Sequence, residues 1–366
     1  MDIRLERLAR LLVRYSNKVR PGEIVEIGGS PVGAPLIEAI YREALARGAL
    51  VRVELFLPSI GEILFRHGND RQIQYYRPSL FDDLKEIDCV FRIWGDENTR
   101  TMTSVDPAKQ QLRSRATRPL HDLFLQRAAK KQLRWVGTIY PTHGMAQDAE
   151  MSLSEYADFF FRACKCDRRD PVAAWKEIRR RQQKIVRFLT GRKTIRLVAP
   201  ETDLTLSVAG RKWENCCGFE NMPDGEVFTG PVENSANGRI LFSFPACHDG
   251  REVEGVRLVF KRGRVVEASA EKNQHYLHKM LDADDGARRL GEFAFGLNDD
   301  IQRFTKDTLF DEKIGGTIHM ALGAAYPETG GRNKSAIHWD MVCDLRKSGE
   351  IHVDGRLAFK NGKWKI

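Results

Sequence analysis

Strand and helix signals alternate through residues 1–140, and this alternation constrains the fold more than any other feature of the chain. Short apolar segments typical of strands occur at residues 23–28, 50–57, 88–94 and 133–139. Amphipathic segments typical of helices lie between them. Because strands separated by helices of this length pair in parallel through right-handed crossovers, residues 1–180 are predicted to form an open, mostly parallel α/β domain.

A different pattern follows a polar helix that the sequence predicts at residues 170–189. Strand-like segments then succeed one another, at residues 195–199, 204–208, 239–244, 255–261 and 265–270. Turns predicted at 248–250 and 262–263 separate some of these strands. Close succession of strands is typical of mixed or antiparallel sheets. Residues 181–366 are therefore predicted to form an α+β domain rich in antiparallel strands.

Composition excludes several classes of protein. Of the 366 residues, 42% are hydrophobic and 30% are charged, which is ordinary for a globular chain and excludes global disorder. No apolar run approaches the roughly 18 residues that a membrane-spanning helix needs, so we expect no membrane partner. Residues 1–20 are charged throughout and predict an amphipathic helix instead of a secretory signal.

The formal net charge of +9 raises the question of an anionic partner. The densest basic stretch, residues 176–193, repeats apolar residues at a helical period with its charges on the other face. That pattern is typical of a solvated helix, and because no nucleic-acid motif accompanies it, we expect no nucleic-acid partner. The seven cysteines are odd in number and lack zinc-finger spacing, so we expect structural thiols and a cytoplasmic location.

Residues that can bind metal ions concentrate between positions 221 and 340. The candidates are Glu226, Glu292, His319, Tyr326, His338 and Asp340. His338 and Asp340 are two apart on a predicted strand, so their side chains project from the same face. A histidine that is merely oriented by a neighbouring carboxylate is the other interpretation of this pair.

The remaining candidates strengthen the metal interpretation. Two histidines and three carboxylates in apolar segments would be costly to bury unless they bind cations. Mixed nitrogen and oxygen ligands suit Zn²⁺, Co²⁺ or Mn²⁺ better than Mg²⁺ or Cu⁺. Because a catalytic zinc usually takes three protein ligands, five ligands suit two ions bridged by a carboxylate and a hydroxide. The pattern therefore predicts a dinuclear metal site.

The motifs of the chain resemble those of the metal-dependent aminopeptidases typified by aminopeptidase T and aminopeptidase S. Four segments occur in the same order as in that family: NMPDGEVFTGP, GEFAFGLN, GTIHMALGAAY and the N-x-S-x-x-H-W-D pattern of residues 333–340. Residues 8–49 and the segment YPTHGMAQDAEMSLSEY at 140–156 extend the resemblance over nearly the whole chain.

The resemblance implies an enzyme that hydrolyses the N-terminal peptide bond of peptides, using a hydroxide activated by two divalent ions, Zn, Co or Mn. It also implies a homodimer and a catalytic role for the C-terminal domain, residues 181–366. The implied metal ligands are Glu226, Glu292, His319, His338 and Asp340. Glu292 and Tyr326 are the implied catalytic residues, Glu292 also as the bridging carboxylate and Tyr326 as a metal ligand or a donor to the oxyanion.

Three alternatives stay open at this point. Some proteins that resemble these peptidases are mononuclear Fe(II) dioxygenases that open dihydroxypyridine rings, but they have histidine where this chain has Glu292 and lack a match to His319. Another metal-dependent hydrolase, or a binding protein that uses the net charge, would also fit. The connection between His319 and His338 is short and Gly-rich, which leaves substrate specificity open. Glu328 within it is a candidate partner for the substrate's α-ammonium, or simply a solvated glutamate.

Overall fold

The structure is a computed structural model that describes residues 2–248 and 250–366. It divides into two compact units. The first comprises Met1–Trp175 together with Gly218–Pro223, and the second comprises Lys176–Cys217 together with Asp224–Ile366. Among the described residues, no helix combines the length and hydropathy that a membrane crossing requires.

The first unit contains one parallel sheet and the helices that connect its strands. The helices are Ile3–Leu11 (α1), Ala34–Ala46 (α2), Pro58–His67 (α3), Asp70–Gln74 (α4), Leu80–Glu86 (α5), Pro107–Ala129 (α6), His143–Asp148 (α7) and Leu153–Ala163 (α8). The first four strands of the chain are Ile24–Gly29 (β1), Leu50–Leu55 (β2), Cys89–Trp94 (β3) and Arg134–Ile139 (β4). A short strand, Asn221–Met222, is the eighth along the chain (β8).

These five strands pair in parallel in the order β2-β1-β3-β4-β8, which confirms the α/β fold predicted for the N-terminal part of the chain. The central strands β1 and β3 are almost entirely buried, as expected when helices cover both faces of a parallel sheet. The edge strand β2 is mostly exposed although its sequence, LVRVEL, is rich in apolar residues.

The second unit is built mainly from antiparallel strands. Its helices are the part of Pro171–Leu189 (α9) that follows Trp175, and the shorter Gln274–Leu281 (α10) and Thr308–Asp311 (α11). Its strands are Thr194–Ala199 (β5), Thr202–Ser207 (β6), Glu214–Cys216 (β7), Glu226–Thr229 (β9), Asn237–Leu241 (β10), Ala246–His248 (β11), Arg251–Val253 (β12), Arg257–Lys261 (β13), Arg264–Ser269 (β14), Leu290–Gly296 (β15), Thr317–Gly323 (β16), His338–Asp344 (β17), Glu350–Val353 (β18), Arg356–Lys360 (β19) and Lys363–Trp364 (β20).

Two large sheets result. One has eight strands in the order β14-β13-β10-β6-β5-β18-β19-β20, and the other has five in the order β17-β16-β15-β9-β7. The pairs within both sheets are antiparallel, which confirms the β-rich fold predicted for the C-terminal part. The strands β11 and β12 pair on either side of the turn predicted at 248–250, of which Asp249 lies outside the described residues.

Along three strands of the five-stranded sheet, β15, β16 and β17, the side chains alternate between a face that forms the core and a face that carries the candidate metal ligands. The residues on one face are apolar and belong to the core of the second unit: Phe293, Phe295, Ile318, Met320, Leu322, Trp339, Met341 and Cys343. The residues between them point to the other face, because successive side chains of a strand alternate. That second face carries Glu292, His319, His338 and Asp340 and is also largely buried.

Candidate metal centre

The strand register brings the candidate ligands together around small residues. Glu292 and Asp340 both pair with Ala321 in β16, the strand between β15 and β17, and His319 pairs with Ala294. Directly opposed residues of antiparallel strands share a face. The methyl groups of Ala294 and Ala321 therefore leave space between the carboxylates and the imidazoles, where larger side chains would fill it.

Two irregular backbone features orient the glutamates. The register of β15 shifts between Leu290 and Glu292, and such bulges re-aim side chains beside functional sites. Glu226 follows Gly225, which has a φ of +123° and whose added Cβ would lie 2.9 Å from the Cβ of Asn298. Only glycine fits this backbone and this close approach. The Pro-Asp-Gly sequence before Glu226 is thus explained by the turn that presents it.

Four contacts link the five predicted ligands into one cluster. His319 Nε2 lies 3.3 Å from Glu226 Oε2 and 3.6 Å from Glu292 Oε1. His338 Nε2 lies 3.2 Å from Glu292 Oε2 and 3.4 Å from Asp340 Oδ2. Glu292 therefore directs one carboxylate oxygen toward each histidine.

The donor atoms of this cluster fit a divalent cation. Both ring nitrogens of His319 and Asp340 Oδ1 are buried, and none of them has a hydrogen-bond partner among the described residues. Glu226 Oε2 is buried as well and lies 3.0 Å from Lys313 Nζ. Leaving buried polar atoms without partners is costly, so such atoms indicate a ligand. Carboxylate oxygens and imidazole nitrogens are the ligands that Zn²⁺ and similar ions prefer.

Hydrogen bonds outside the cluster fix His338. Its Nδ1 donates to the carbonyl of Ala324 at 2.8 Å, which leaves Nε2 directed at Glu292 and Asp340. The segment before His338 is also anchored, because Asp284 accepts hydrogen bonds from the hydroxyl of Ser335 and the amide of Ala336. These contacts explain why serine precedes the His-x-Asp pair in this motif.

Asn333, the first residue of the same motif, fixes the loop between β16 and β17 through its side-chain amide. Its Nδ2 donates to the carbonyl of Gly323 at 2.6 Å and to that of Gly286 at 2.9 Å. Gly323 is the last residue of β16, so this side chain ties the end of one site strand to the loop that begins the next. The motif is therefore a positioning device for His338 and Asp340.

Tyr326 lies at the accessible edge of the cluster. It is 41% exposed. Its ring packs edge-on against those of His338 and Phe228, with centroid distances of 5.0 and 5.4 Å. Burial is the main cause that raises the pKa of its phenol, so the hydroxyl remains protonated at neutral pH. Glu328, two residues later, is exposed in a short 3-10 turn.

Two residues of the cluster lie outside the set that the sequence predicted. Glu312 has an oxygen close enough to Glu226 and His319 for all three to hold one ion. Lys313 lies between the two glutamates, with Nζ 2.6 Å from Glu312 Oε2 and 3.0 Å from Glu226 Oε2. The signal that could have found them is the charged triplet at 311–313, which three residues separate from the apolar strand of His319.

Gln182 and Cys216 extend the surroundings of Glu226. The buried Gln182 side chain donates through Nε2 to the carbonyls of Glu226 and Cys216, at 2.9 and 2.8 Å. Cys216, Asp224 and Glu226 also place one potential ligand atom each within 4.8 Å of one another. The sequence predicted Cys216 only as a structural thiol, because its neighbour Cys217 gives no metal-binding spacing.

Burial and mutual charge shift the pKa values of the cluster strongly. Burial raises the pKa of Glu226 to about 7. Burial opposes ionisation of Glu292 as well, but the two histidines beside it lower its pKa to about 2. Burial would lower the pKa values of the histidines, yet the neighbouring carboxylates raise that of His319 to about 9 and that of His338 to about 10. A metal ion held by these two histidines would therefore have to displace a proton from each of them at neutral pH.

Comparison with known proteins agrees with this chemistry. Aminopeptidase 2 of Geobacillus stearothermophilus is 28% identical, with 98% of this chain and 97% of the relative covered. A solved structure of AmpT from Thermus thermophilus matches with a TM-score of 0.87 at 24% identity, covering 99% of both chains. A 2,5-dihydroxypyridine dioxygenase from Pseudomonas putida KT2440 matches with a TM-score of 0.59 at 16% identity, covering 99% of this chain and 96% of that one.

Both solved structures share the fold of this chain. Because both are less than 25% identical to it, they show the fold alone. The sequence profile of one family extends over almost the entire chain, from residue 1 to residue 364. That family hydrolyses peptide bonds with bound metal, which is the chemistry indicated by the unpartnered carboxylate and imidazole atoms of the cluster. The chain belongs to the family of thermophilic metalloproteases (M29).

Proposed function

We propose that the protein is a metal-dependent aminopeptidase that removes the N-terminal residue of peptides and holds two divalent ions, Zn, Co or Mn, in each subunit. The observation that carries the proposal is the position of Glu292. Its Oε1 faces His319 and its Oε2 faces His338. A carboxylate whose two oxygens face two different metal-binding histidines is arranged to bridge two ions.

The remaining ligands divide between the two positions. Glu226 and His319 would hold one ion, and His338 and Asp340 would hold the other, with Glu292 shared. Ions bound there would supply Lewis-acid polarisation of the scissile carbonyl and a water of lowered pKa. Four of these five side chains are at most 11% exposed, whereas the side chain of His338 is 26% exposed and Tyr326 is 41% exposed. Substrate is therefore expected to approach from the side of His338 and Tyr326.

The protein's own residues then have separate tasks. The hydroxyl of Tyr326 remains protonated and can donate a hydrogen bond to the oxygen that becomes negative in the transition state. Glu292 is buried and ionised, which suits a ligand shared by two ions. A carboxylate of the site, either Glu292 or one that is not bound to an ion, would receive a proton from the attacking water and return it to the leaving amine. The hydrogen bond from His338 Nδ1 to Ala324 keeps the imidazole oriented throughout.

Metal analysis and peptide cleavage on one sample test this function. Protein purified without added metal is analysed for metals by mass spectrometry, and release of free amino acid from di- and tripeptides is followed. The same peptides with an acetylated N-terminus are the control. We expect about two ions per subunit, chelator-sensitive release from the free peptides that returns with Co²⁺, Zn²⁺ or Mn²⁺, and no release from the acetylated ones. One iron per subunit without cleavage would instead favour ring-opening oxygenase chemistry.

We also infer a homodimer, supported by the apolar surface of the first unit. Strand β2 and the following segment expose an unusual run of apolar side chains: Leu50, Leu55, Phe56, Leu57, Ile60 and Ile63, each between 48% and 62% exposed. Contiguous apolar surface of this kind marks association sites. Light scattering should show a dimer that Leu55→Glu dissociates, whereas Leu357→Glu, at an exposed leucine of the second unit, should leave it intact.

The cytoplasm is the compartment that we propose for this enzyme. Four cysteines form no disulfide and are buried thiols whose pKa values are raised mainly by burial: Cys89, Cys164, Cys166 and Cys343. Free structural thiols are typical of reducing compartments. Cell fractionation with a cytosolic marker tests this location, and recovery in an extracytoplasmic fraction would contradict it.

A further inference from the structure

We infer that Lys313 makes the two metal positions unequal. The position formed by Glu226, Glu312 and His319 would bind its divalent ion more weakly than the position formed by Glu292, His338 and Asp340. This inference rests on the proposed dinuclear function, because it concerns how the same cluster takes up its ions. It assigns Lys313 a role in metal affinity and Glu312 a place among the ligands.

One oxygen of Glu226 contacts Lys313 and is also a candidate ligand of the weaker metal position. Glu226 Oε2 lies 3.0 Å from Lys313 Nζ and 3.3 Å from His319 Nε2. Glu312 Oε2 lies 2.6 Å from Lys313 Nζ, and Glu312 also belongs to the group of atoms that can hold one ion with Glu226 and His319. An ion bound by these oxygens therefore has an ammonium group as its immediate neighbour, and like charges at this range repel strongly in a buried site.

Lys313 cannot move out of the way. Its side chain is only 1% exposed, so the ammonium is buried in its present position. Its backbone is held on both sides, since its N–H donates to the carbonyl of Phe310 at 2.9 Å and its carbonyl accepts from Asn298 at 3.0 Å. A bound ion and the ammonium would have to share Glu226 and Glu312.

The other position has no comparable neighbour among the described residues. The ion pairs of Glu292 and Asp340 in the structure are with His319 and His338. A neutral imidazole offers a lone pair to a metal, whereas an ammonium has three donors and no lone pair. The two positions therefore differ in the charge beside them, although they share Glu292. Metal should load stepwise, with the Glu292, His338 and Asp340 position filled first.

Titration of metal-free protein with Co²⁺ tests this inference without any assay of activity. A chromophoric chelator competes for the ion, and the visible absorption of bound Co²⁺ reports each step. Wild-type protein should bind in two steps whose dissociation constants differ by roughly tenfold or more. Lys313→Met, which removes the charge and keeps a similar volume, should tighten the second step by roughly tenfold and leave the first within about threefold.

Two further variants keep the result interpretable. Lys272→Met removes a surface lysine that pairs with Glu252 and Glu254, and it should leave both steps unchanged. Lys313→Gln keeps a donor for Glu312, so it replaces Lys313→Met if that variant does not fold. Loss of the second step in either Lys313 variant would overturn the inference, as would two equal steps in the wild type. Unequal steps that Lys313→Met brings closer together, in a protein that cleaves no peptide, would support the inference while the proposed activity fails.

Discussion

Buried acidic residues occur in the parallel sheet of the first unit and in the five-stranded sheet of the second, and their charge partners differ. Glu26, in β1, is 6% exposed, and its two oxygens lie 2.7 Å from Arg52 Nη2 and 2.8 Å from Arg92 Nη1. Glu226 and Glu292, at 6% and 4% exposure, face histidines instead, and Glu226 also pairs with Lys313.

The difference teaches how to distinguish a structural charge from a functional one. Both oxygens of Glu26 are neutralised by arginines, so its burial is compensated within the unit. In the candidate metal cluster, Asp340 Oδ1 and both nitrogens of His319 have no hydrogen-bond partner among the described residues. Buried polar atoms without partners are energetically costly, and Glu26 shows that the fold can pair a buried carboxylate. We therefore attribute the unpartnered atoms of the cluster to a ligand that they bind.

The largest effect that would sharpen this comparison is expected for Glu292→Gln. The amide keeps the shape of the carboxylate but loses the charge that faces both histidines. We expect peptide hydrolysis to fall by a factor of about 10³ or more, with metal content reduced and a cooperative thermal unfolding transition retained. Kinetics, metal analysis and thermal melting check the three expectations.

Glu26→Gln is the matched control for this variant, because it makes the same chemical change at an equally buried glutamate. It should keep full activity per folded molecule and full metal content. Full activity in the Glu292→Gln variant would contradict the role assigned to this carboxylate and remove the distinction between the two sheets.

A smaller effect on the same face is expected for Tyr326→Phe. The ring packing against His338 and Phe228 is retained, and only the hydroxyl is lost. If the hydroxyl donates to the developing oxyanion, kcat should fall by about 10²–10³ with KM and metal content nearly unchanged. If it is instead a metal ligand, Co²⁺ affinity should fall as well. A variant with wild-type kcat would show that Tyr326 is only a packing residue.

Much of this site could be predicted because its ligands lie on strands with a regular period. The alternation of apolar and polar residues in GEFAFGLN and TIHMALG places Glu292 and His319 opposite a core face, and the structure has that alternation. The parallel and antiparallel halves of the fold were predictable for the same reason, since periodicity and spacing determine which strands can pair.

Lys313 and Glu312 could not be predicted, because they lie in the irregular segment after α11 and have no period. The position of Lys313 depends on a local backbone hydrogen bond to Phe310 and on one from the more distant Asn298, which requires the folded chain. Gln182 was missed for a similar reason. It lies on the basic helix α9, where periodicity indicates only which face is buried, and its three hydrogen bonds to β7 and β9 require the tertiary fold.

The pH dependence of stability should separate metal-free from metal-loaded protein. In the metal-free cluster, the pKa of His319 is raised from 6.5 to about 9 and that of His338 to about 10 by the carboxylates beside them. The stabilisation from these raised pKa values is fully present below pH 6.5 and is lost as the pH rises through 9 and 10. In the loaded protein both imidazoles are already neutral ligands, so the same loss is not expected.

Thermal melting of both forms between pH 6 and pH 10 measures this difference. The metal-free protein should lose several degrees relative to the loaded protein as the pH rises, and titrations elsewhere in the chain cancel in the comparison. Parallel curves for the two forms would mean that the histidines carry no protons in the metal-free cluster.

The smallest effect is expected in the first unit, where Glu26→Gln removes a charge that Arg52 and Arg92 share. Breaking a fully buried ion pair is strongly destabilising, but the side chains of these arginines are 33% and 36% exposed and can regain water. The free energy of unfolding should therefore fall by only about 1–2 kcal/mol. Asp203→Asn, at an exposed pair with Arg196, should cause no measurable change. A loss at Glu26 as small as that at Asp203 would mean that burial alone does not make this pair structural, and the contrast with the metal cluster would then rest only on its unpartnered atoms.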